Sequence, residues 1–275
     1  MKIFEKDELR PLLELNNSMM SYTFLFIWGQ IFFAYYLFIK CPYLLPLIWF
    51  FVASRQHALA ALAHEAVHGL LAPNKIINNF LGRYLAAFPI LVSLSRYQAI
   101  HLLHHRKLFS TEDPDRPIYE RYPVNQKRWV KYLTRDITAR TFLKNFLYFA
   151  PLPKIFYPQG KDPINHYPYQ NDAFQFFFFQ FGLHLFFFWQ GKLLYLFLFW
   201  WAPYLTLLQV LLRIRGALEH GAIKNKNDEL QNTCTVTDKN WVLFFMAPLG
   251  LNFHLEHHLY PIIPWYNLNH VHQKL

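Results

Sequence analysis

The chain has 275 residues, of which 54% are hydrophobic, 20% aromatic and only 16% charged, against about a quarter charged in a typical soluble domain. This composition excludes a disordered chain, a collagen-like chain and a disulfide scaffold, and it carries more apolar surface than a soluble core hides. The net charge of +10 accompanies long apolar runs, so it fits an anionic membrane surface or an acidic protein partner better than nucleic acid.

In chain order, Met1–Arg10 is charged and polar and is not expected to be a cleaved leader. The first apolar run covers residues 19–39. At about 1.5 Å per residue it is long enough to cross a hydrocarbon core of roughly 30 Å. A second run covers 44–63 and contains Arg55, Gln56 and His57, polar groups expected to face protein or the membrane surface. Tyr84–Leu94 and Trp241–Leu251 are apolar but short and contain Pro, which suggests interfacial or re-entrant segments. Asp113–Pro117 (DPDRP) and the proline-rich 151–163 are expected to be loops. Two further runs, 173–190 and 193–212, are separated only by Gly191 and Lys192. The pattern is two helical hairpins.

Lys and Arg fix the expected orientation. The N-terminal segment carries three, His64–Asp172 fifteen and the tail after Leu212 six, whereas the hairpin tips carry one each, Lys40 and Lys192. By the positive-inside rule both termini and the central segment are cytoplasmic. The expected fold is an all-α integral membrane protein, one domain over 1–275. Its four transmembrane helices form two hairpins, and a cytoplasmic helical cap at 64–172 and 213–275 carries the histidine clusters.

Those clusters are His64-Glu65-Ala66-Val67-His68, His101-Leu102-Leu103-His104-His105 and His254-Leu255-Glu256-His257-His258. Residues at i, i+3 and i+4 share a helix face, so each cluster projects two or three imidazoles from one side. Neutral imidazole is the usual nitrogen ligand of Fe, Zn and Cu, and unpaired buried imidazoles are costly. Eight imidazoles are too many for one tetrahedral zinc. Two metals sharing eight or nine nitrogens fit better, with His220 in RGALEHG as the ninth. The remaining histidines read as structural. His166 lies near prolines, His270 and His272 lie in the tail, and His184 is mid-span, placed to hydrogen-bond across helices. His57 lies roughly 10 Å along the helix from His64 and is left out of the shell.

With these residues in view, HEAVHG from His64, HLLHHRKLFSTEDPD from His101, RIRGALEH from Arg213 and NFHLEHHLYP from Asn252 resemble the histidine boxes of the membrane fatty-acid desaturase superfamily. The resemblance runs from about Leu44 to Pro264. It implies a non-haem di-iron centre held by His64, His68, His101, His104, His105, His220, His254, His257 and His258, with O2 as co-substrate. Some relatives carry an asparagine four residues before the extra histidine, and here that position is Gly216. Glu65, Glu219 and Glu256 flank the histidines, either exposed, paired with Arg, or accepting an imidazole N–H; Asp113 and Asp115 either do likewise or cap a turn, and the turn is the leading reading. The chain shows no dinucleotide or haem signature, so the resemblance implies an external electron carrier, a ferredoxin or a cytochrome b5-type protein. A lipid bilayer and a lipid substrate complete the expected partners.

Desaturation of a fatty-acyl chain is the leading expectation. Hydroxylation or ketolation of a lipid or carotenoid is its rival on the same scaffold. HEAVH is superficially similar to the zincin HExxH helix, but a zinc hydrolase would leave two HxxHH clusters unused. A metal transporter would place its ligands near the bilayer midplane rather than at the cytoplasmic edge.

Overall fold

A computed structural model describes residues 4–152, 162, 164, 170–221, 223, 228, 230–237 and 241–275. His166 and most of the proline-rich 151–163 lie outside them. The described residues are helical, with no strand among them. In order come α1 (Lys6–Leu12), α2 (Asn17–Lys40), α3 (Leu45–Val67), α4 (Lys75–Phe80), α5 (Leu94–Lys107), α6 (Arg116–Tyr119), α7 (Gln126–Ile137) and α8 (Phe142–Phe149). Then follow α9 (Ala173–Trp189), α10 (Leu193–Leu196), α11 (Ala202–Leu205), α12 (Leu207–His220), α13 (Trp241–Met246), α14 (His254–Leu259) and α15 (Leu268–Lys274).

Three helical runs are long and apolar enough to cross a membrane: Lys6–Lys40, Pro42–Val67 and Leu193–His220. Ala173–Trp189 is apolar but only 17 residues long, at the short end of what spans. Phe174, Phe178, Phe181, Phe186 and Phe188 on α9, and Phe26, Phe32 and Phe33 on α2, are exposed. Such a continuous apolar exterior suits contact with lipid, and the apolar helices fit a multi-pass membrane protein.

The region after α3, placed in the polar cap apart from the interfacial or re-entrant Tyr84–Leu94, is a bent apolar segment that begins already at Lys75. Lys75–Ile90 is apolar and meets Leu94–Lys107 at a bend of 93°. Leu81–Ala87 is a π-helix, Phe88–Ile90 a 3-10 turn, and Leu91 is left-handed at φ 56. A bend in apolar surroundings strands backbone carbonyls, which must find partners. Here side chains supply them. Trp28 Nε1–H donates to Leu85 O at 3.1 Å, Gln180 to Phe88 O at 2.6 Å, Trp200 to Pro89 O at 2.8 Å and Tyr204 to Ile90 O at 2.7 Å. The second π-helix, Phe197–Trp201, is treated likewise, with Trp49 on Leu198 O and Gln56 on Trp200 O, both at 2.8 Å. Gly82 lets the bent segment approach α3 closely. An added Cβ there would stand 2.5 Å from Ala66 Cβ and 2.9 Å from a Leu94 methyl.

The polar residues of α3 face protein. Arg55 is buried and donates to Gln30 Oε1, Ser54 Oγ and Phe244 O, each at 2.8 Å. These bonds pin α13 to α3.

Candidate metal centre

Four elements deliver histidines to one place. α3 runs unbroken through His64, longer than the expected 44–63, and stops at His68. Gly69 then turns the chain at φ +78, and Leu70 N–H caps Glu65 O at 2.9 Å, a glycine-dependent stop. α5 starts where the bend ends. Its N-cap Ser93 accepts Arg96 N–H at 3.1 Å and donates to buried Asp172, which also accepts Ser95 N–H at 3.1 Å. Asp172 precedes α9, so it fixes where α5 begins and hence where His101, His104 and His105 point. His220 closes α12, and α14 carries His254, His257 and His258.

Ring nitrogens of His64, His68, His101, His105 and His257 all lie within 4.8 Å of one another, and those of His104, His220 and His258 do the same. His254 joins the second set, with its Nε2 2.8 Å from His220 Nε2 and 3.1 Å from His258 Nε2. The two sets touch. The His105 and His258 rings stack at 4.3 Å, and His105 Nε2 lies 2.9 Å from His101 Nε2 and 3.0 Å from His257 Nε2. All nine histidines singled out in the sequence thus converge.

Several of these groups are buried beyond the reach of water. Both ring nitrogens of His64 and Nε2 of His68 are buried without a hydrogen-bond partner, a cost a fold avoids unless something else satisfies them. Burial, then the neighbouring imidazoles, hold His257 and His258 far below the ordinary histidine range; for His254, Arg215 adds to the same effect. Neutral imidazoles with converging lone pairs repel one another, and a shared cation turns that repulsion into attraction. The donor set therefore fits two metal ions, one among five nitrogens and one among four.

The carboxylates divide between the alternatives the sequence left open. Asp113 is more than a turn cap. His104 Nδ1–H donates to its Oδ1 at 2.9 Å, leaving Nε2 free to face the cluster. The same carboxylate accepts Tyr119 O–H, Phe109 N–H at 3.1 Å and Asp115 N–H at 2.9 Å. Burial opposes its ionisation, but the bonds from His104, Tyr119 and the Asp115 amide prevail and hold it below the usual carboxylate range. Asp115 accepts Tyr148 O–H at 2.8 Å. Glu219 pairs with Arg215 and lies 3.6 Å from His254 Nδ1.

Glu65 is buried, 3.7 Å from His64 Nδ1, and accepts Trp265 N–H at 3.0 Å. Glu256 instead turns to Thr235 and to His272, whose Nδ1–H donates at 2.6 Å. His272 therefore braces α14 rather than decorating the tail. His184 Nδ1 lies 2.7 Å from Gln180 O on its own helix, and its ring stacks on Trp201 across the bundle. His57 is fully buried with neither nitrogen partnered.

Beside the second set lies a cavity of about 430 Å³. His101, His104, His220 and His254 line one part of it, and Ala60, Ala63, Ile90, Val92 and Leu208 give it apolar walls. Gly216 also lines it, with room for a Cβ limited by Ile118 at 3.2 Å. The family model for fatty acid desaturases matches residues 41–275. The chain belongs to the fatty acid desaturase family. It is accordingly an oxidoreductase.

Relatives carry the same label. The dihydrorhizobitoxine desaturase of Bradyrhizobium elkanii is 29% identical over 242 residues, covering 85% of this chain and 68% of the relative. An endoplasmic reticulum omega-3 fatty acid desaturase of Nicotiana tabacum is 27% identical over 251 residues, covering 81% of this chain and 62% of its own length. A chloroplastic omega-6 fatty acid desaturase of Arabidopsis thaliana matches over 107 residues at 27% identity, 38% of this chain and 22% of the relative. The chain thus spans roughly two thirds of the length of the first two.

Proposed function

We propose that this chain is a di-iron, O2-dependent desaturase of a fatty-acyl chain, borne by a lipid or a thioester. The observation that carries this reading is the convergence of nine imidazoles on two adjacent points beside a cavity with apolar walls. His64, His68, His101, His105 and His257 would hold one iron, and His104, His220, His254 and His258 the other. Bound iron would supply O2 activation and removal of hydrogen from an unactivated C–H bond.

The chain's own part is positional. Asp113 fixes the tautomer of His104, and Glu219 stands at Nδ1 of His254. The apolar walls exclude water from the reacting carbons and hold the chain against the histidines. Electrons come from a separate ferredoxin or cytochrome b5-type carrier, approaching the basic cytoplasmic side.

On this reading residues 1–275 form a single desaturase-like domain with four spans, both termini and the histidines cytoplasmic, and the hairpin tips outside. Hydroxylation or ketolation of a lipid or carotenoid is the rival outcome, because the same hydrogen abstraction precedes both products. Lipid profiling of cells expressing the protein with a matched electron donor decides between them. Desaturation yields a lipid lighter than its precursor by one pair of hydrogens. A product heavier by one oxygen, with no unsaturated species, rejects desaturation.

A further inference from the structure

The N-terminal segment before α2 is seated on the C-terminal segment after α14. Phe4 is buried in one apolar cluster with Ile263, Leu268 and Val271, and Leu9 and Leu12 pack against it. The Phe4 ring meets Tyr260 edge-on at 5.4 Å, and Lys274 Nζ lies 4.7 Å over it. Polar bonds cross the same seam. Asn267 donates to Leu12 O at 2.9 Å, and Lys274 pairs with Glu8. The Tyr266 hydroxyl accepts Asn16 N–H at 2.7 Å and donates to Glu14 O at 3.3 Å.

α15 in turn bears on the histidines. His272 Nδ1–H donates to Glu256 at 2.6 Å, and the His272 ring lies 5.6 Å from that of Phe253. Phe253 caps α14 and Glu256 is its buried carboxylate. α14 has only six residues, too few to hold a position through its own hydrogen bonds. It delivers His254 and His258 to the four-nitrogen set but only His257 to the five-nitrogen set. Ligand geometry tolerates a displacement of about 0.5 Å, so a loosened α14 costs one ion half its donors and the other one donor in five. Thr235 holds Glu256 independently, so α14 stays folded near its place when α15 lets go. We infer that residues 4–13 are a positioning element of the metal centre. Seated on α15, they fix α14 through His272 and Glu256, and the four-nitrogen set retains its ion only while they stay there. The inference rests on the reading of the nine histidines as ligands of two irons.

The test is stepwise removal of iron from the full chain in lipid nanodiscs by the ferrous chelator ferrozine. The absorbance of the chelate counts the iron released, and Mössbauer spectroscopy reports the iron left behind. Phe4→Asp/Leu9→Asp places two carboxylates in the apolar seam and drives the N-terminal segment off α15, without touching α14 or a histidine. This variant gives up one iron per chain at a chelator concentration at least about tenfold below that for the wild type, the effect of losing an outer support of a metal ligand. Its other iron leaves at the wild-type concentration, and between the two steps the Mössbauer spectrum is that of a single site. Phe4→Leu/Leu9→Ile keeps the seam apolar and retains both irons. His272→Ala reproduces the selective loss from the far end of the same contacts, and His272→Gln, which keeps an N–H donor for Glu256, reverses it. Parallel loss of both irons in the Asp double variant marks general destabilisation and overturns the inference, as does retention of both. If that variant does not insert in the membrane, His272→Ala against His272→Gln decides on the same terms. Fewer than two irons in the wild type rejects instead the two-iron reading beneath the inference, so the two failures are told apart.

Discussion

Replacing Asp113 by Asn isolates the contribution of one carboxylate to the metal centre. Its Oδ1 accepts from His104 and the Asp115 amide, and its Oδ2 from Tyr119 and the Phe109 amide. Asn keeps the shape but offers one acceptor oxygen and one NH2 group. Tyr119 can turn its hydroxyl to accept, whereas His104 and both amides can only donate. The carbonyl of Asn therefore faces His104 and the Asp115 amide, and its NH2 faces Tyr119. The Phe109 N–H then keeps only the Tyr119 hydroxyl oxygen, 3.1 Å away, and the bond to His104 loses its charge. The loss of one charge-assisted bond costs about 1.5–3 kcal/mol of stability. A neutral acceptor also leaves His104 a weaker base, and loss of such a partner lowers metal affinity roughly 10- to 100-fold. Iron retained per chain across a chelator titration measures this. Tyr119→Phe serves as the control, since it removes a bond to the same carboxylate but leaves the charge on His104. Iron retention by Asp113→Asn equal to wild type refutes the reasoning, as does equal loss in both variants, which would reduce the effect to general destabilisation.

Ala at His104, His105, His257 or His258 removes a nitrogen from the clusters without touching an apolar span. Each variant is expected to insert in the membrane, lose activity and bind less iron; wild-type activity in any two contradicts the ligand assignment. Tags at the N-terminus and at Leu275 should be protected in intact cells and a tag at Lys192 accessible; an external C-terminus would separate His254, His257 and His258 from the cytoplasm and sink the topology. Gly82→Ala forces a methyl against Ala66, between the bent segment and α3, and overpacking of this kind costs about 1–3 kcal/mol. A lowered melting temperature with the desaturase reaction retained at low temperature is the expected pattern, and an unchanged melting temperature contradicts the close approach.

The helices and the histidines were legible for different reasons. Long apolar runs declare spans because lipid demands length and hydrophobicity, so α2, α3 and the Leu193–His220 run follow from composition alone. The i, i+3, i+4 spacing marks one helix face, so each cluster could be read locally. What the spacing does not encode is the meeting of α3, α5, α12 and α14, because that depends on the bend after Lys75. The sequence there gives only a short apolar stretch with one proline, and the partners of its stranded carbonyls, Trp28, Gln180, Trp200 and Tyr204, are scattered over nearly the whole chain. The short apolar stretch with its proline therefore marks an interfacial or re-entrant segment, but not the bend or its partners.

The same distinction explains the carboxylates. Asp113 looked like a turn residue because DPDRP does make a turn; its second task, receiving His104, requires that α5 and the turn fold back on each other through Tyr119. Glu256 lies between two histidines in sequence, yet a helix rotates successive residues by about 100°, so it points away from its neighbours and meets His272 from α15. Adjacency in sequence thus does not decide contact on a helix, since Glu65 stays 3.7 Å from His64 Nδ1 while Glu256 turns away, and a residue one loop away can reach a histidine. Residues other than the histidines, Asp113 and the four partners of the bend carbonyls, therefore carry the geometry that the boxes need. Changes there should alter the centre without altering a single histidine.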